Sequence, residues 1–219
     1  MPGLLPVTVI VIAKSPVPGR VKTRLTPPFS PEQAARLAEA ALTDTLATVS
    51  ATPVSRRVLA LDGPPGPWAP NDSDIIAQRG TGLDQRLAAA FADAYGMARQ
   101  PMVLIGMDTP QVTTDLLTDA AMPLVSGDAD AVLGLATDGG FWLLGLRQPN
   151  WSLLQGVPMS RADTGQLQLA RLMDAGLRVA TAPELTDVDS ADDALNVAAL
   201  IPGSRFAATL DREAGVLAR

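Results

Sequence analysis

Four cations, Lys14, Arg20, Lys22 and Arg24, stand close together in the stretch VTVIVIAKSPVPGRVKTRL (7–25). They include the only two lysines of the chain, and no acid precedes Glu32. Residues 1–31 therefore carry four unopposed cations, while the other thirteen face all 23 Asp and Glu. On a chain of net charge −6 this is a local anion site, suited to a run of phosphates. A solvated loop whose charges only aid solubility is the competing reading. Pro16, Pro18 and Gly19 argue against it, because they restrict the backbone between the charges and an apolar run, Val7 to Ala13, that reads as a buried strand. The loop after such a first strand is where open α/β sheets bind ligands.

The acids that could answer these cations lie at similar places. Asp108 follows the apolar run PMVLI (101–105) in the turn GMDTP, where its carboxylate would project into the same crevice. Metal ligation and a plain Asx-turn or helix cap are both open there. Asp187 and Asp189 alternate along LTDVDSADD (185–193), ahead of the capping residue Ser190, and are free either to bind a cation or to form a solvated acidic turn. Asp138 and Gly139, in ATDGG (136–140), either touch a substrate or serve only to form the turn.

The chain has no His and no Cys. That excludes Ser-His-Asp and Cys-His catalysis, a histidine base and a zinc site of imidazole or thiolate. Carboxylates, two lysines, arginines and hydroxyls remain. This set suits Mg²⁺ or Mn²⁺ and reactions driven by charge neutralisation and positioning, such as phosphoryl and nucleotidyl transfer. A two-carboxylate glycosidase also survives.

The elements that must hold these residues alternate between strand and helix. Ser30-Pro31-Glu32-Gln33 opens a helix to about Ser50 with a capping box. Strands follow at Arg57 to Leu61 and Asp74 to Ala77, separated by the Pro/Gly loop 63–73. Gln78, Gly80 and Gly82 precede a helix over about 83–99, and the Gly80-Thr81-Gly82 turn could offer backbone N–H groups to an anion or a base edge. Ala129 to Leu135 and Phe141 to Leu146 flank Gly139-Gly140 as an antiparallel hairpin. A helix over about 165–175, a strand at 177–181 and a helix capped by Ser190 complete the order. At 219 residues this is expected to be one domain (1–219), soluble and cytoplasmic, with no run long enough to span a membrane and no basic stripe for nucleic acid.

KSPVPGRVKTRL, GMDTP, TDGGFWLLGL and DVDSADD, in that order, resemble the bacterial family of glycosyltransferase-A-fold proteins related to phospholactate guanylyltransferase and molybdenum-cofactor guanylyltransferase, over roughly Val7 to Leu200. The resemblance implies a three-layer α/β/α sandwich with a mostly parallel, Rossmann-like sheet and a small antiparallel hairpin. It also implies a nucleoside triphosphate or nucleotide-sugar donor with Mg²⁺ or Mn²⁺. By motif match, Lys14, Arg20, Lys22 and Arg24 would hold donor phosphates, with Lys22, Arg24 and Asp108 acting in catalysis. Gln78, Gly80, Gly82, Asp138 and Gly139 would complete the nucleotide site. Asp108 would hold the metal, and Asp189, with Asp187 as the next candidate, a second metal position. The chain departs from the family at two points: Leu135 replaces an expected Pro and Phe141 a usual Tyr. It also lacks the glycine-rich loop of sugar-phosphate nucleotidyltransferases.

Three readings follow. A nucleotidyltransferase would join a phosphorylated acceptor to a nucleoside monophosphate. A glycosyltransferase would move a sugar to a hydroxyl acceptor. A nucleotide-binding module would do neither. Four cations in one loop suit a triphosphate, and an acceptor phosphate already ionised at pH 7 needs no general base, which favours nucleotidyl transfer.

Overall fold

The computed structural model describes residues 3–217, so residues 1, 2, 218 and 219 of the expected domain lie outside the described residues. Seven strands form one sheet: β1 (Leu5–Lys14), β2 (Val54–Asp62), β3 (Asp74–Ala77), β4 (Met102–Ile105), β5 (Ala131–Ala136), β6 (Phe141–Leu146) and β7 (Val179–Leu185). Their order is β3-β2-β1-β4-β6-β5-β7. β1 lies inside the sheet, parallel to both its neighbours. The expected β5–β6 hairpin is present, but it is not an appendage. β6 is inserted between β4 and β5, antiparallel to both, and is the one reversed strand of the sheet.

β1 shows why the fold closes as it does. Its side chains alternate at the strand period: Val7, Val9, Val11 and Ala13 enter one core, and Ile10 and Ile12 enter the other. Both faces are buried because helices cover both. Helices α1 (Pro31–Ala51) and α3 (Thr114–Ser126) pack on the first face. Helices α2 (Leu83–Met97) and α4 (Thr164–Asp174) pack on the second. α1 begins with the expected capping box, Ser30 accepting from the Gln33 N–H while the Gln33 side chain accepts from the Ser30 N–H.

Two further helices, α5 (Ala191–Leu200) and α6 (Arg205–Leu217), cover the outer side of α1. Their shared core contains Leu37, Ala41, Val197, Phe206 and Leu210, and it also takes in Leu25 of the basic stretch and Val188 of the acidic one. α3 and α6 have no counterpart in the sequence patterns above. Pro123 sits inside α3, where proline argues against a helix, and the buried stripe of α6 is broken by a charged residue, Glu213.

Glu213 is buried on α6 because Arg36 of α1 meets it with both arms of its guanidinium, at 2.6 and 2.8 Å. That hydrogen bonding holds its carboxyl below the usual carboxylate range. A depressed carboxyl stabilises the fold above its unfolded pKa and loses that contribution as pH falls through the folded one. Arg36 is half exposed, so solvent screens the pair. Glu213→Gln is expected to lower unfolding free energy by about 1 kcal/mol at pH 7. In denaturant titrations the difference from the unaltered chain should shrink as pH falls below about 4.

Candidate nucleotide and cation site

The chain runs outward from β1 through β2 to β3, then returns to β4 on the other side of β1. This reversal leaves a crevice beyond the carboxyl ends of β1 and β4, the place where open α/β sheets bind ligands. A cleft of about 440 Å³ lies there. Ile12, Ala13 and Lys14 at the end of β1 line it, as do Gly106, Met107 and Asp108 after β4 and Asp187 and Asp189 after β7.

The basic loop is fixed at two points. Val21 and Leu25 are buried, and the residues around them form tight turns, with the Arg20 N–H donating to Val17 O and the Leu25 N–H to Lys22 O. Lys22 has left-handed backbone angles, φ 45° and ψ 42°, rare for a side chain of this size. The consequence is that its ammonium turns into the cleft. Nζ stands 2.8 Å from Asp108 Oδ2 and 2.8 Å from Asp189 Oδ1. Arg24 Nη1 takes the other oxygen of Asp189 at 2.9 Å.

Asp108 and Asp189 meet because the segment after β7 docks on the turn after β4. The Val188 N–H donates to the Asp108 carbonyl at 2.9 Å, and the Val188 side chain is buried in the core shared by α1, α5 and α6. Ser190 then caps α5 reciprocally with Asp193 as expected, and the Asp189 N–H reaches the same Asp193 carboxylate. Asp189 is thus placed by a helix start on one side and a backbone bond on the other.

The electrostatics follow from this crowding. Burial works against the Lys22 charge, but Asp108 and Asp189 outweigh it and hold the ammonium well above the ordinary lysine range. Burial alone would raise Asp189. The charges of Lys22 and Arg24 and their hydrogen bonds reverse this and hold it below the usual carboxylate range. Asp187 is pushed up to about 8, by burial first and then by repulsion from Asp108, with Lys22 acting in the opposite direction. Its Oδ1 is sealed from solvent with no hydrogen-bond partner.

The donor set fits a hard divalent cation. The two oxygens on Lys22 can be no farther apart than twice 2.8 Å, so a modest inward shift would let both reach one ion with metal–oxygen bonds of about 2.0–2.1 Å. Among the described residues, no three acidic side chains are gathered into a ready cage. An ion held by two carboxylates and completed by water and phosphate oxygens is the usual habit of Mg²⁺. Lys22 lies between the carboxylates and not across the crevice from them, as loops at the ends of different strands of one sheet lead one to expect.

The remaining candidates divide. Lys14, Arg20, Gln78 and Asp138 line the cleft. The two N–H groups of the Gln78 amide, however, serve the Ala13 and Ala60 carbonyls at 2.7 and 3.0 Å, tying together the ends of β1 and β2 and leaving no amide hydrogen for a base. Asp138 accepts from the Gly140 N–H at 2.8 Å, so it forms the turn and faces the cleft at once. Gly80, Gly82 and Gly139 lie outside the lining. A side chain on Gly80 would strike Gln85, whose own amide oxygen already takes the Thr81 N–H. Gly82 provides the extended backbone that starts α2. Gly139 has φ 88° and abuts the Ala162 carbonyl, so its role is close packing.

Sequence reasoning missed one wall. Met159, Ser160, Arg161 and Thr164, before and at the start of α4, line the cleft together with Leu83 and Leu87 of α2. Ser160 has a left-handed φ of 59°, and Thr164 fixes the segment by donating to the Pro158 carbonyl and accepting from the Arg161 N–H. No periodicity marks this stretch.

Residues 37–161 match the bacterial family described as "Uncharacterized protein conserved in bacteria (DUF2064)". The chain belongs to the DUF2064 family. No curated protein matches it in sequence. Among solved structures, it is similar to a Desulfovibrio desulfuricans G20 protein provisionally described as a nucleotide-diphospho-sugar transferase. The identity is 26%, with 96% of each chain covered and a TM-score of 0.86. It also resembles the 2-C-methyl-D-erythritol 4-phosphate cytidylyltransferase of Thermus thermophilus, at 17% identity, 90% of this chain and 99% of that one covered, and a TM-score of 0.53. Rv0371C of Mycobacterium tuberculosis H37Rv, solved in complex with manganese, matches at 18% identity over 89% of this chain and 98% of that one, with a TM-score of 0.51. The fold of this DUF2064 member is therefore that of the nucleotide-diphospho-sugar transferases, as the motifs imply.

The packing role of Gly139 is directly testable. Gly139→Ala adds a methyl group at a left-handed φ and against a backbone carbonyl, and it is expected to cost about 2 kcal/mol or more in denaturant unfolding. Adding nucleotide should not change that cost.

Proposed function

We propose that this DUF2064 protein is a single-domain, divalent-cation-dependent nucleotidyltransferase. It would join a phosphorylated small-molecule acceptor to a nucleoside monophosphate and release pyrophosphate. The observation that carries the reading is the meeting of Asp108 and Asp189 at one cation position, 2.8 Å from Lys22, in a cleft also lined by Lys14 and Arg20. Such a cleft matches the charge of a nucleoside triphosphate with its cation.

In this reading Lys14 and Arg20, which make no ion pair among the described residues, bind the donor's phosphates. Asp108 and Asp189 would hold the shared cation, which when bound would offset charge on the α-phosphate. An acceptor phosphate oxygen then forms a bond to the α-phosphorus as the bond from that phosphorus to the bridging oxygen of pyrophosphate breaks. The electron pair leaves with pyrophosphate, where Lys14, Arg20, Lys22 and Arg24 neutralise it. No proton need be removed from an acceptor phosphate ionised at neutral pH, which accords with a chain that has no histidine. The apolar side chains of Leu83, Leu87 and Phe141 provide a wall for the base or the body of the acceptor.

A glycosyl transfer from a nucleotide sugar is the second reading. It is favoured by the description given to the Desulfovibrio protein. The products separate the two: nucleotidyl transfer releases pyrophosphate, glycosyl transfer a nucleotide. A thermal-shift panel of the four triphosphates and common nucleotide sugars with Mg²⁺ identifies the donor, since a ligand at 100 times its dissociation constant stabilises by about 2.7 kcal/mol. With that donor, Asp108→Asn is expected to reduce turnover about 10²-fold or more while leaving the melting temperature nearly unchanged. Arg20→Ala is expected to weaken donor binding by about tenfold or more in low-salt calorimetry, as for loss of a charge-assisted hydrogen bond. Unchanged turnover in the Asp108 variant would overturn the reading.

A further inference from the structure

The cation position between Asp108 and Asp189 already has an occupant that belongs to the chain. Lys22 Nζ sits 2.8 Å from an oxygen of each, with only 10% of its side chain exposed. An ion bound to the same two oxygens and the ammonium cannot both occupy that point. Their like charges would repel and their ligands are the same atoms. We propose that Lys22 and a divalent cation are alternative occupants of one seat, and that phosphates drawing Lys22 away open the seat to the ion. This rests on the reading of the cleft as a nucleotide and cation site.

Three features support an exchange over a permanent lysine bridge. First, Lys22 lines the same cleft as Lys14 and Arg20, whose charges among the described residues make no ion pair. The backbone at Lys22 is anchored by buried Val21 and Leu25, so a flexible four-carbon stem can swing between carboxylates and phosphates without moving the loop. Second, leaving the seat empty is costly. Asp108 would lose its ion pair and Asp189 would keep only Arg24, and a partly buried carboxylate stripped of its partner is unfavourable. Lys22 therefore departs most readily when another cation arrives. Third, that cation has further ligands only when phosphates are present, because two carboxylates alone leave most of an octahedral shell to water.

Lys22 is thus a positioning residue that links nucleotide and cation. It opposes the ion in the free protein and neutralises phosphate in the complex. By linkage, the donor must raise cation affinity by the same factor by which the cation raises donor affinity.

The chain contains only two lysines, so protein labelled with ¹⁵N at the lysine side chains gives two ammonium signals, and Lys14→Arg assigns them. In the unaltered chain, Mg²⁺ alone is expected to move the Lys22 signal and speed its hydrogen exchange only at concentrations high enough to compete with the ammonium, leaving Lys14 in place, and pyrophosphate is expected to lower the concentration needed. Inorganic pyrophosphate alone is expected to move both. In a second measurement, Mn²⁺ uptake followed by electron paramagnetic resonance should be tighter for Lys22→Gln than for the unaltered chain by about tenfold, within the usual range of coupling between sites. Asp108→Asn should abolish that gain. An Mg²⁺ uptake that Asp108→Asn removes but that leaves the Lys22 signal still would overturn the exchange and leave the cation site standing. So would Mn²⁺ binding no tighter in Lys22→Gln. If neither protein takes up Mn²⁺, with or without pyrophosphate, the cation reading fails and the exchange with it.

Discussion

Carboxylates brought together in a partly buried crevice repel one another, and much of the architecture around this cleft answers that repulsion. Asp108 arrives on the turn after β4 and Asp189 on the segment after β7, and Lys22 supplies the positive charge that lets them meet. Arg24 relieves the outer oxygen of Asp189. Asp187, partly buried and close to Asp108, resists ionisation. One ammonium thus offsets the charge of two acids at once, which is why its position matters more than its contribution to stability.

Holding that arrangement in place falls to apolar packing remote from the chemistry. Leu25, just past the basic residues, and Val188, between Asp187 and Asp189, are buried in one core with α1, α5 and α6. The cationic and anionic segments are far apart in sequence, yet their anchors share a single packed cluster. The outer helices therefore do more than cover α1. They fix two loops relative to each other, and the Arg36–Glu213 pair fastens α6 to the helix beneath it. The Val188–Asp108 backbone bond sets the final approach.

A chain without histidine or cysteine must obtain reactivity from charge and position. The cleft is built in that way: cations from a loop after β1, acids from loops after β4 and β7, and an apolar wall from α2 and β6. The proposed nucleotidyl transfer would tolerate this economy because its transition state needs neutralisation and alignment more than proton removal. Gly139 and Gln78 show the other side of a crowded site. Residues beside the reacting space are occupied in holding its backbone, Gln78 by bridging two strand ends and Gly139 by admitting the Ala162 carbonyl.

By itself the sequence determined the alternation of strands and helices, the interior place of β1, both capping boxes, the acid-free basic stretch and the identity of the acids that meet it. These rest on short-range rules: a period of two along buried strands, side-chain caps within three residues, and composition. The resemblance of the four motifs to the guanylyltransferase-related family also identified the fold. Three things were decided only by tertiary structure. β6 entered the sheet because a hairpin's partner strand can pair on both edges, which no local pattern specifies. α6 has no legible apolar stripe in the sequence because Glu213 becomes a core residue only when Arg36, from another helix, meets it. Lys22 came to lie between Asp108 and Asp189, and not opposite them, because a left-handed backbone at that residue aims its side chain inward. Such a φ depends on how Val21 and Leu25 are buried by distant helices, and a residue's neighbours in sequence carry no record of that packing.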